Sequence, residues 1–356
     1  MISRSHDFDA LLVSILLPFT TFSILCYEIA LTRLFAYIFT YDLTAMAVSF
    51  AVFGLGSGAY VRVRWLSFLP QRTLAVGAHL ASSASLLVLY VVLILTHDTA
   101  VVIVVSAMPF AVAGVAVSHY YQVRRSERAA ATYALDLSGA AAACVAGVVL
   151  LVGVGGDGAL LFLAALSGGA AILASLRADA ALRGKCLLLA ALCGVLPGAI
   201  YLFRSHWPDP LLNRHSSVDK QLPRLLREQG KVIDTAWSAV GRADVYQTPD
   251  EPDIKLILTD AMNSTVFVSA GLEGFQGLFA SLPYAVAPVR TALILGSGAG
   301  LEVRIARAAA VPEVEAVELN PAIIRLVRRW QPFGGPIYDL PGVTLFVEEG
   351  RTFVLT

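Results

Sequence analysis

Three glycines and one acid in the C-terminal part of the chain are the residues best suited to chemistry. Gly296, Gly298 and Gly300 surround Ser297 in the segment GSGAG, and Glu318 follows about twenty residues later. A glycine turn lets the backbone approach a ligand closely, and a carboxylate at this distance can accept hydrogen bonds from a ribose. The spacing is tighter than that of the dinucleotide fingerprint, and it suits an S-adenosylmethionine-type ligand better.

A strand, a helix and a second strand are needed to position these residues. The sequence predicts a buried strand at Ala292–Leu295, a helix at Leu301–Ala309 and a strand at Val314–Leu319 that carries Glu318 at its end. Glycine-rich turns also arise for purely structural reasons. The order of strand, turn, helix, strand and acid favours nucleotide-type binding over that alternative.

The segment ALILGSGAGLEV…VEAVELNPAI resembles the cofactor-binding core of the spermidine synthase family, within the wider Rossmann-like methyltransferase superfamily. The N-terminal half is similar to the membrane-fused branch of that family, through CYEIALTRLF, VFGLGSGAY and YALDLSGAA. The resemblance implies a multi-pass α-helical membrane domain, then a small β-domain, then a Rossmann-like α/β domain. It also implies transfer of an aminopropyl or methyl group from S-adenosylmethionine or its decarboxylated form to an amine or another small-molecule nucleophile, and it allows a homodimer.

The same resemblance assigns two further acids to the site. Glu349, within Glu348-Glu349-Gly350-Arg351, takes the place of the family's acid that meets the adenine amino group. The family's glycine loop carries an Asp where this chain has Ala299. Glu302 could substitute for that Asp from the start of the helix, although the helix dipole favours an acid in any first helical turn.

Two features separate the chain from polyamine synthases. Phe275-Gln276-Gly277 stands where the family has Tyr-(Gln/His)-Glu, so two polar contacts to a cationic amine are absent. The family's catalytic Asp follows a strand that would come after Thr356, so no catalytic residue is assigned, and we expect a C-terminally truncated domain that is inactive by itself. The alternative hypothesis is a membrane transport or sensing protein whose soluble domain only binds a nucleoside.

Composition indicates a membrane protein. Hydrophobic residues make up 57 % of the chain and charged residues 15 %, and the apolar excess is concentrated in the first two hundred residues. The formal net charge of zero gives no indication of nucleic-acid binding. The four cysteines lie in apolar runs without the spacing of metal ligands, which predicts packing residues and no metal site: Cys26, Cys144, Cys186 and Cys193.

Seven apolar runs are long enough to cross a bilayer, which takes about 20 helical residues. They predict a helical transmembrane domain over residues 1–203, with spans at roughly 10–31, 43–61, 73–96, 99–121, 131–153, 158–176 and 186–203. Frequent small residues in the fifth and sixth runs predict close helix packing.

Basic residues predict the orientation of these spans. They flank the N-terminus and the second, fourth and sixth connections, which places the N-terminus in the cytoplasm, as expected for a bacterial inner membrane: Arg4, Arg62, Arg64, Arg72, Arg124, Arg125, Arg128, Arg177, Arg183 and Lys185. Seven spans would then put the soluble part outside, where S-adenosylmethionine is scarce. Either one of the last two runs does not cross, or the soluble part is extracytoplasmic. Cofactor supply favours the cytoplasm.

Four ionisable residues interrupt the apolar runs, at Glu28, Asp42, His119 and Asp136. Such groups are costly in lipid and often mark a site or a pathway. The simpler interpretation is that Glu28 pairs with Arg33 and that Asp42 and His119 lie at helix ends. For Asp136, inside YALDLSGAA, a functional and a structural role are equally favoured.

The C-terminal half divides into three predicted parts. Residues 204–240 form a connector with one short amphipathic helix, and residues 241–272 form a small antiparallel β-domain of three strands. Residues 273–356 form the Rossmann-like nucleotide-binding domain, which opens with a helix in EGFQGLFASLPYAVAP.

Overall fold

The computed structural model describes residues 2–96, 98–124, 129–178, 180–204, 209, 211–212 and 220–355. The chain divides into two compact units, Met1–Val218 and Asp219–Thr356. The predicted order of long apolar helices and a C-terminal sheet region is confirmed.

Six helices of the first unit are long and apolar enough to cross a membrane. They are α1 (Ile2–Ile38), α2 (Tyr41–Arg64), α3 (Gln71–Leu95), α4 (Thr99–Val123), α5 (Ala129–Ser175) and α6 (Ala180–Phe203). The predicted fifth and sixth runs both lie in α5, which has 47 residues. At about 1.5 Å per residue a straight helix of that length would be about 70 Å long, more than twice the thickness of a hydrocarbon core.

Helix α5 reverses direction at Gly155, whose φ of 80° and ψ of 171° are not helical. Before the reversal, Gly139 packs against Pro18 in the first half of α1. After it, Ala174 belongs to the same apolar cluster as Leu17, which is next to Pro18. Two residues 35 positions apart could not both reach this part of α1 from one straight helix. The apolar segments are therefore seven, in six helices.

All seven segments alternate in direction. An apolar cluster joins the first half of α1 (Leu16), the start of α3 (Ala75), the end of α4 (Tyr120) and the end of α5 (Ala174), with Cys186 of α6 packed against it. Helix α2 runs parallel to α4, because Gly54 packs on Phe110 and Gly58 on Ala111. We call the end of the bundle that holds this cluster the basic end, since it carries Arg62, Arg72, Arg124 and Arg177.

The chain leaves the helical unit at the opposite end of the bundle. Arg204, just after α6, forms an ion pair with Asp157 at 3.2 Å and donates to the Val154 carbonyl at 3.0 Å. Both partners lie beside the reversal at Gly155. The sixth and seventh apolar segments therefore each run from one end of the bundle to the other.

Small residues let the helices approach backbone to backbone. A Cβ built at Gly58 would lie 1.9 Å from the Ala111 carbonyl oxygen, and one at Gly168 would lie 2.4 Å from the Gly194 nitrogen. No side chain fits at either glycine. The close packing predicted for the fifth and sixth runs is present in both halves of α5, at Gly139 and at Gly168, and it also joins α2 to α4.

The second unit begins with a short helix, α7 (Gln221–Arg227), and a four-stranded antiparallel sheet. Its strands lie in chain order: β1 (Lys231–Trp237), β2 (Arg242–Gln247), β3 (Ile254–Thr259) and β4 (Asn263–Val268). The prediction of three strands beginning after residue 240 was wrong, because β1 lies within the predicted connector. Asp234 and Thr235 interrupt the alternation of apolar and polar residues by which a strand is recognised. In the structure both side chains are hydrogen-bonded.

A parallel sheet of three strands follows, in the order β5 (Thr291–Leu295), β6 (Glu313–Val317) and β7 (Val343–Phe346). Helix α9 (Leu301–Ala308) connects β5 to β6, and α10 (Pro321–Arg329) and α11 (Gln331–Gly334) lie between β6 and β7. A last helix, α12 (Gly350–Leu355), follows β7. The carboxyl ends of the three strands meet at one edge, where parallel sheets place ligands.

The two sheets share one hydrophobic core. Fully buried residues of the antiparallel sheet and of the α/β segment belong to the same cluster, among them Ala243, Val245, Ile257, Phe267, Val303, Val314, Ala316 and Leu326. The strands and helices from β1 to β7 therefore form a single compact unit, rather than a small β-domain beside a separate nucleotide-binding domain.

The helix predicted before β5 is mostly absent. The segment forms two 3₁₀ turns, Phe275–Gly277 and Phe279–Ser281, and a five-residue helix α8 (Leu282–Val286). Gly274, with φ of 93°, begins the first turn, and glycine weakens helix propensity.

Candidate functional site

The glycine turn connects β5 to α9 at the carboxyl edge of the parallel sheet. Gly296, Gly298 and Gly300 have φ values of 73°, 57° and 85°, a region that side-chain-bearing residues rarely adopt. All three glycines are therefore required by the backbone path itself.

Glu318 lies under this turn, immediately after β6, and is 7 % exposed. One carboxylate oxygen accepts from the Gly298 N–H at 2.9 Å, and the other accepts from the Asn320 N–H at 2.7 Å. The acid thus ties the turn to the end of β6. A carboxylate has about four acceptor positions, so two remain for further donors.

Each of the five backbone N–H groups of the turn already donates within the protein. Gly296 and Ser297 donate to the Val317 carbonyl, Gly298 to Glu318, Ala299 to the Thr265 hydroxyl and Gly300 to the Ser297 carbonyl. Phosphate-binding loops instead direct such donors at the anion. The turn is therefore not arranged as a phosphate cradle.

The surroundings of the glycines show which side of the turn is open. A Cβ at Gly298 would lie 2.4 Å from the Thr265 hydroxyl, and one at Gly300 would lie 2.5 Å from Ile337. At Gly296 no atom lies within 4 Å of the added Cβ. The space beside Gly298 is thus occupied by the protein's own antiparallel sheet, and a ligand can approach at Gly296.

Ser297 is fully buried and takes part in a hydroxyl chain. Its Oγ donates to the Tyr338 hydroxyl at 3.0 Å, which in turn donates to the Gly298 carbonyl at 2.6 Å. Burial raises the pKa of the Tyr338 phenol, so it stays protonated and keeps this donor role. Ser297 and Tyr338 therefore rigidify the turn from within.

The two other predicted acids lie at exposed helix starts. Glu302 is in the first turn of α9 and is exposed. Glu349 accepts from the Arg351 and Thr352 N–H groups at 3.1 and 2.8 Å, and so caps α12. These backbone hydrogen bonds, the one from Thr352 first, lower the pKa of Glu349. These hydrogen bonds use acceptor positions of the carboxylate that a hydrogen bond from an adenine would also need.

The segment Phe275–Gly277 lies partly in the core. Phe275 is 8 % exposed and packs with Val268 and Ile305, with the Arg304 guanidinium 5.2 Å from its ring centre. Gly277 offers no side chain, and a Cβ there would meet no atom within 4 Å. Nothing polar at these two positions can bind a cationic amine.

Three residues of the site were missed from the sequence. Thr265 and Tyr338 contact the turn from β4 and from the segment before β7, and only the fold brings them there. Asn320 caps α10 through its Oδ1, and this carbonyl also accepts from the Ser238 hydroxyl at 2.8 Å. Asparagine before a proline at a helix start is a recognisable signal, and it was available. The buried Asn320 Nδ2 has no hydrogen-bond partner in the described part of the chain.

Asp42, His119 and Asp136 lie in different surroundings. Asp136 accepts from the Tyr121 hydroxyl at 2.9 Å, and its carbonyl accepts from Thr21 at 3.1 Å. Asp42 is exposed in the first turn of α2, and His119 is 2 % exposed near the end of α4. Among the described residues, no group of three or more His, Cys, Asp or Glu side chains could hold a metal ion.

No family model, no curated protein and no solved structure matches this chain. The site therefore has to be interpreted from its own geometry and from the resemblance stated above.

Proposed function

We propose that the chain is a membrane-anchored transferase of the spermidine synthase type, with a site for S-adenosylmethionine or its decarboxylated form at the carboxyl edge of β5–β7. The supporting observation is the position of Glu318, a buried carboxylate at the end of β6 that holds the glycine turn and keeps acceptor capacity. The Rossmann-like assignment of this sheet is part of the proposal.

In this proposal Glu318 accepts a hydrogen bond from a ribose hydroxyl, while Gly296 allows the ligand to lie against the backbone. Glu302, exposed at the start of α9, offers negative charge to a cationic sulfonium or amino end. The reactive carbon would belong to the ligand, and the protein's contribution would be to fix its position against the nucleophile. Glu349 could accept a hydrogen bond from the adenine amino group only through acceptor positions that the cap of α12 leaves open.

The acceptor proposed here differs from putrescine. Phe275 is committed to the core and Gly277 has no side chain, so a diamine would lack two polar contacts. We expect no spermidine from putrescine and decarboxylated S-adenosylmethionine with purified protein. Detectable aminopropyl transfer, measured by chromatography of the products, would contradict this expectation.

Calorimetry on the purified full chain in detergent tests the ligand. Loss of a hydrogen bond to a charged group costs about 1.5–3 kcal/mol, so Glu318→Gln should weaken binding of S-adenosylmethionine or methylthioadenosine roughly ten- to a hundredfold. Glu349→Gln is the matched control, at an exposed acid, and should change affinity less. If no adenosyl compound binds, or if Glu318→Gln binds as the wild type does, the turn is structural and the proposal fails.

A transport or sensing function is the second candidate, and the interior of the helical unit favours it. A small cavity of about 10 Å³, room for about one water, has a mainly apolar lining that includes these hydroxyl and imidazole side chains: Thr20, Ser23, Tyr27, His79, Ser82 and Ser167. His79 Nε2 lies 2.7 Å from the hydroxyl of Tyr120, which is near the basic end. Such a row of polar groups between apolar helices is typical of a pathway or of a buried switch.

We also propose a location. Both of the last two apolar segments run the full length of the bundle, which supports the interpretation that both of them cross the bilayer. The positive-inside rule then puts the basic end in the cytoplasm and the segment after Arg204 outside. We therefore replace the cytoplasmic location expected from cofactor supply by an extracytoplasmic one. This location favours the second candidate function, because an outside site requires a nucleoside ligand that is present there.

A further inference from the structure

A cavity of about 390 Å³ opens at the basic end of the helical bundle. Its walls come from α1, α3, α4 and the end of α5, with the proline before α3 at one side. The volume lies within the range of about 300–1,000 Å³ that small-molecule sites occupy in proteins. All of the described residues that line it belong to the helical unit, so this cavity is separate from the proposed nucleoside site.

Most of the cavity wall is apolar. Leucine, valine and alanine side chains from four helices face it, among them Leu12, Leu16, Ala75, Val123 and Ala174. A ligand gains free energy roughly in proportion to the apolar surface that it removes from water on such a wall. The wall therefore fits a molecule whose main part is hydrocarbon.

The charged residues of the wall do not require a charged ligand. Arg72 and Arg177 line the cavity, and each already has an interaction partner within the protein. No acid is found among the described lining residues. An ion that entered the cavity would lose its hydration without meeting a counter-charge that is not already engaged, which is costly. The ligand that fits is therefore uncharged.

One polar atom of the wall has no partner. His119, near the end of α4, lines the cavity and is 2 % exposed, and its Nδ1 forms no hydrogen bond within the described ranges. The hydroxyl of the neighbouring Tyr120 is by contrast engaged, 2.7 Å from His79 Nε2. Buried polar atoms are almost always hydrogen-bonded. The imidazole of His119 therefore calls for a partner that the described residues do not supply.

We propose that this cavity binds an uncharged lipid alcohol, whose hydroxyl pairs with His119 Nδ1 while its hydrocarbon part lies along α1, α3 and α4. A neutral imidazole donates from one ring nitrogen and accepts at the other, and a hydroxyl can take either part, so it suits both tautomers of His119. The cavity opens at the end of helices that are long and apolar enough to cross a membrane. The bilayer is therefore the source proposed for such a molecule.

Native mass spectrometry of the full chain in detergent tests the hydroxyl with a matched pair of probes. Dioleoylglycerol carries one free hydroxyl, and propanediol dioleate is the same molecule without it. The wild type should bind dioleoylglycerol about fivefold more tightly, as expected for one hydrogen bond to a buried group. In His119→Phe, which keeps an aromatic ring but has no ring nitrogen, the two probes should bind equally. Equal binding of the two probes by the wild type would overturn the proposal.

A pair of valine variants tests the position of the site. Val123→Phe adds bulk to the apolar wall and should weaken the binding of both probes. Val149→Phe on α5 is the matched control, because Val149 is 66 % exposed and does not line the cavity. It should change binding by less than about twofold, as is usual for surface substitutions. Equal losses in the two variants would mean that the probes bind elsewhere, and the proposal would fail.

Two further measurements keep the role of His119 and the charge of the ligand open to refutation. Because Nδ1 forms no hydrogen bond, His119→Phe should leave the thermal unfolding midpoint in lipid-free detergent nearly unchanged. A clearly lower midpoint would show that His119 already bonds within the helices, and it would count against the proposal. Dioleoyl phosphatidic acid carries a charged phosphate in place of the hydroxyl. If it binds more tightly than dioleoylglycerol and loses that binding in Val123→Phe, the ligand is an anion and the proposal is wrong.

Discussion

Glu318 has two roles, because the carboxylate proposed to bind a ribose also accepts the hydrogen bonds that hold the turn together. Its two oxygens accept from Gly298 and Asn320, which lie on either side of the site. A substitution here therefore acts on the fold as well as on the ligand. The two effects must be measured separately.

We predict that Glu318→Ala destabilises the second unit even without ligand. Two buried N–H groups lose their acceptor, and each costs about 1–3 kcal/mol, so the free energy of unfolding should fall by about 2–6 kcal/mol. Hydrogen exchange of the segment 296–300 in the full chain should become faster. Glu302→Ala, at an exposed acid without a hydrogen-bonded role in the turn, serves as the control. Unchanged exchange in Glu318→Ala would show that the carboxylate does not hold the turn.

Gly296 and Gly298 make a matched pair for the next prediction. Both have positive φ, so an alanine at either position carries backbone strain of about 1 kcal/mol or more. Only at Gly298 does the added methyl group also meet Thr265. Gly298→Ala should therefore lower the thermal unfolding midpoint clearly more than Gly296→Ala does. Because Thr265 also accepts from the Ala299 N–H, Thr265→Gly is itself destabilising. The double variant should nevertheless lose less stability than the sum of the two single losses, and simple additivity would count against the contact.

The types of the site residues could be predicted from the sequence, whereas their partners could not. The glycines and Glu318 can be recognised by their spacing, because all four lie within 23 residues of one strand–turn–helix–strand segment. Thr265 and Tyr338 reach the turn from residues 31 or more positions away from it in sequence, and no local pattern signals such a contact. For the same reason, nothing in the sequence shows that Thr265 occupies the space beside Gly298.

At the scale of elements, the apolar runs were the most reliable signal and β1 was the least. Membrane-type segments are long and strongly apolar, so their existence follows from composition alone. Strand β1 carries Asp234, whose carboxylate accepts from Arg329 and Trp330 of the α10 region. A strand that uses an acid for a long-range contact breaks the alternation by which strands are recognised.

The reversal in α5 depends on one residue. Gly155 adopts φ of 80° and ψ of 171°, a conformation almost restricted to glycine. Gly155→Ala should therefore destabilise the helical unit by about 1–3 kcal/mol, visible as a lower thermal unfolding midpoint in detergent. Gly153→Ala, two residues earlier at a helical position with open space, should be neutral or slightly stabilising. Equal effects of the two substitutions would argue against the reversal.

At the scale of the whole molecule, the arrangement of helices and the distribution of arginine are independent observations that support the proposed orientation. Packing shows that Val123 and Arg204 are at opposite ends of the bundle, and charge indicates which end faces the cytoplasm. The sequence supplied the charge pattern in full. It left open whether the last two segments cross, because neither length nor hydropathy reveals the direction of a helix.

Reporter fusions in cells check this orientation. A reporter after Val123 should be cytoplasmic, while reporters at Thr96 and after Arg204 should be extracytoplasmic. The fusion after Arg204 decides between the two locations discussed for the second unit. A cytoplasmic signal there, together with an outside signal at Thr96, would mean that one of the last two segments stays on the cytoplasmic side of the bilayer.

The core shared by the two sheets has a consequence for cooperativity. The antiparallel strands supply Thr265 to Ala299 and Ser238 to Asn320, and their apolar faces complete the packing of α9 and α10. Heat or denaturant should therefore melt β1–β4 and the glycine turn in one transition. A shortened protein that starts at residue 273 would lose the turn along with the sheet, whereas one that starts at Asp219 retains every contact on which the turn depends.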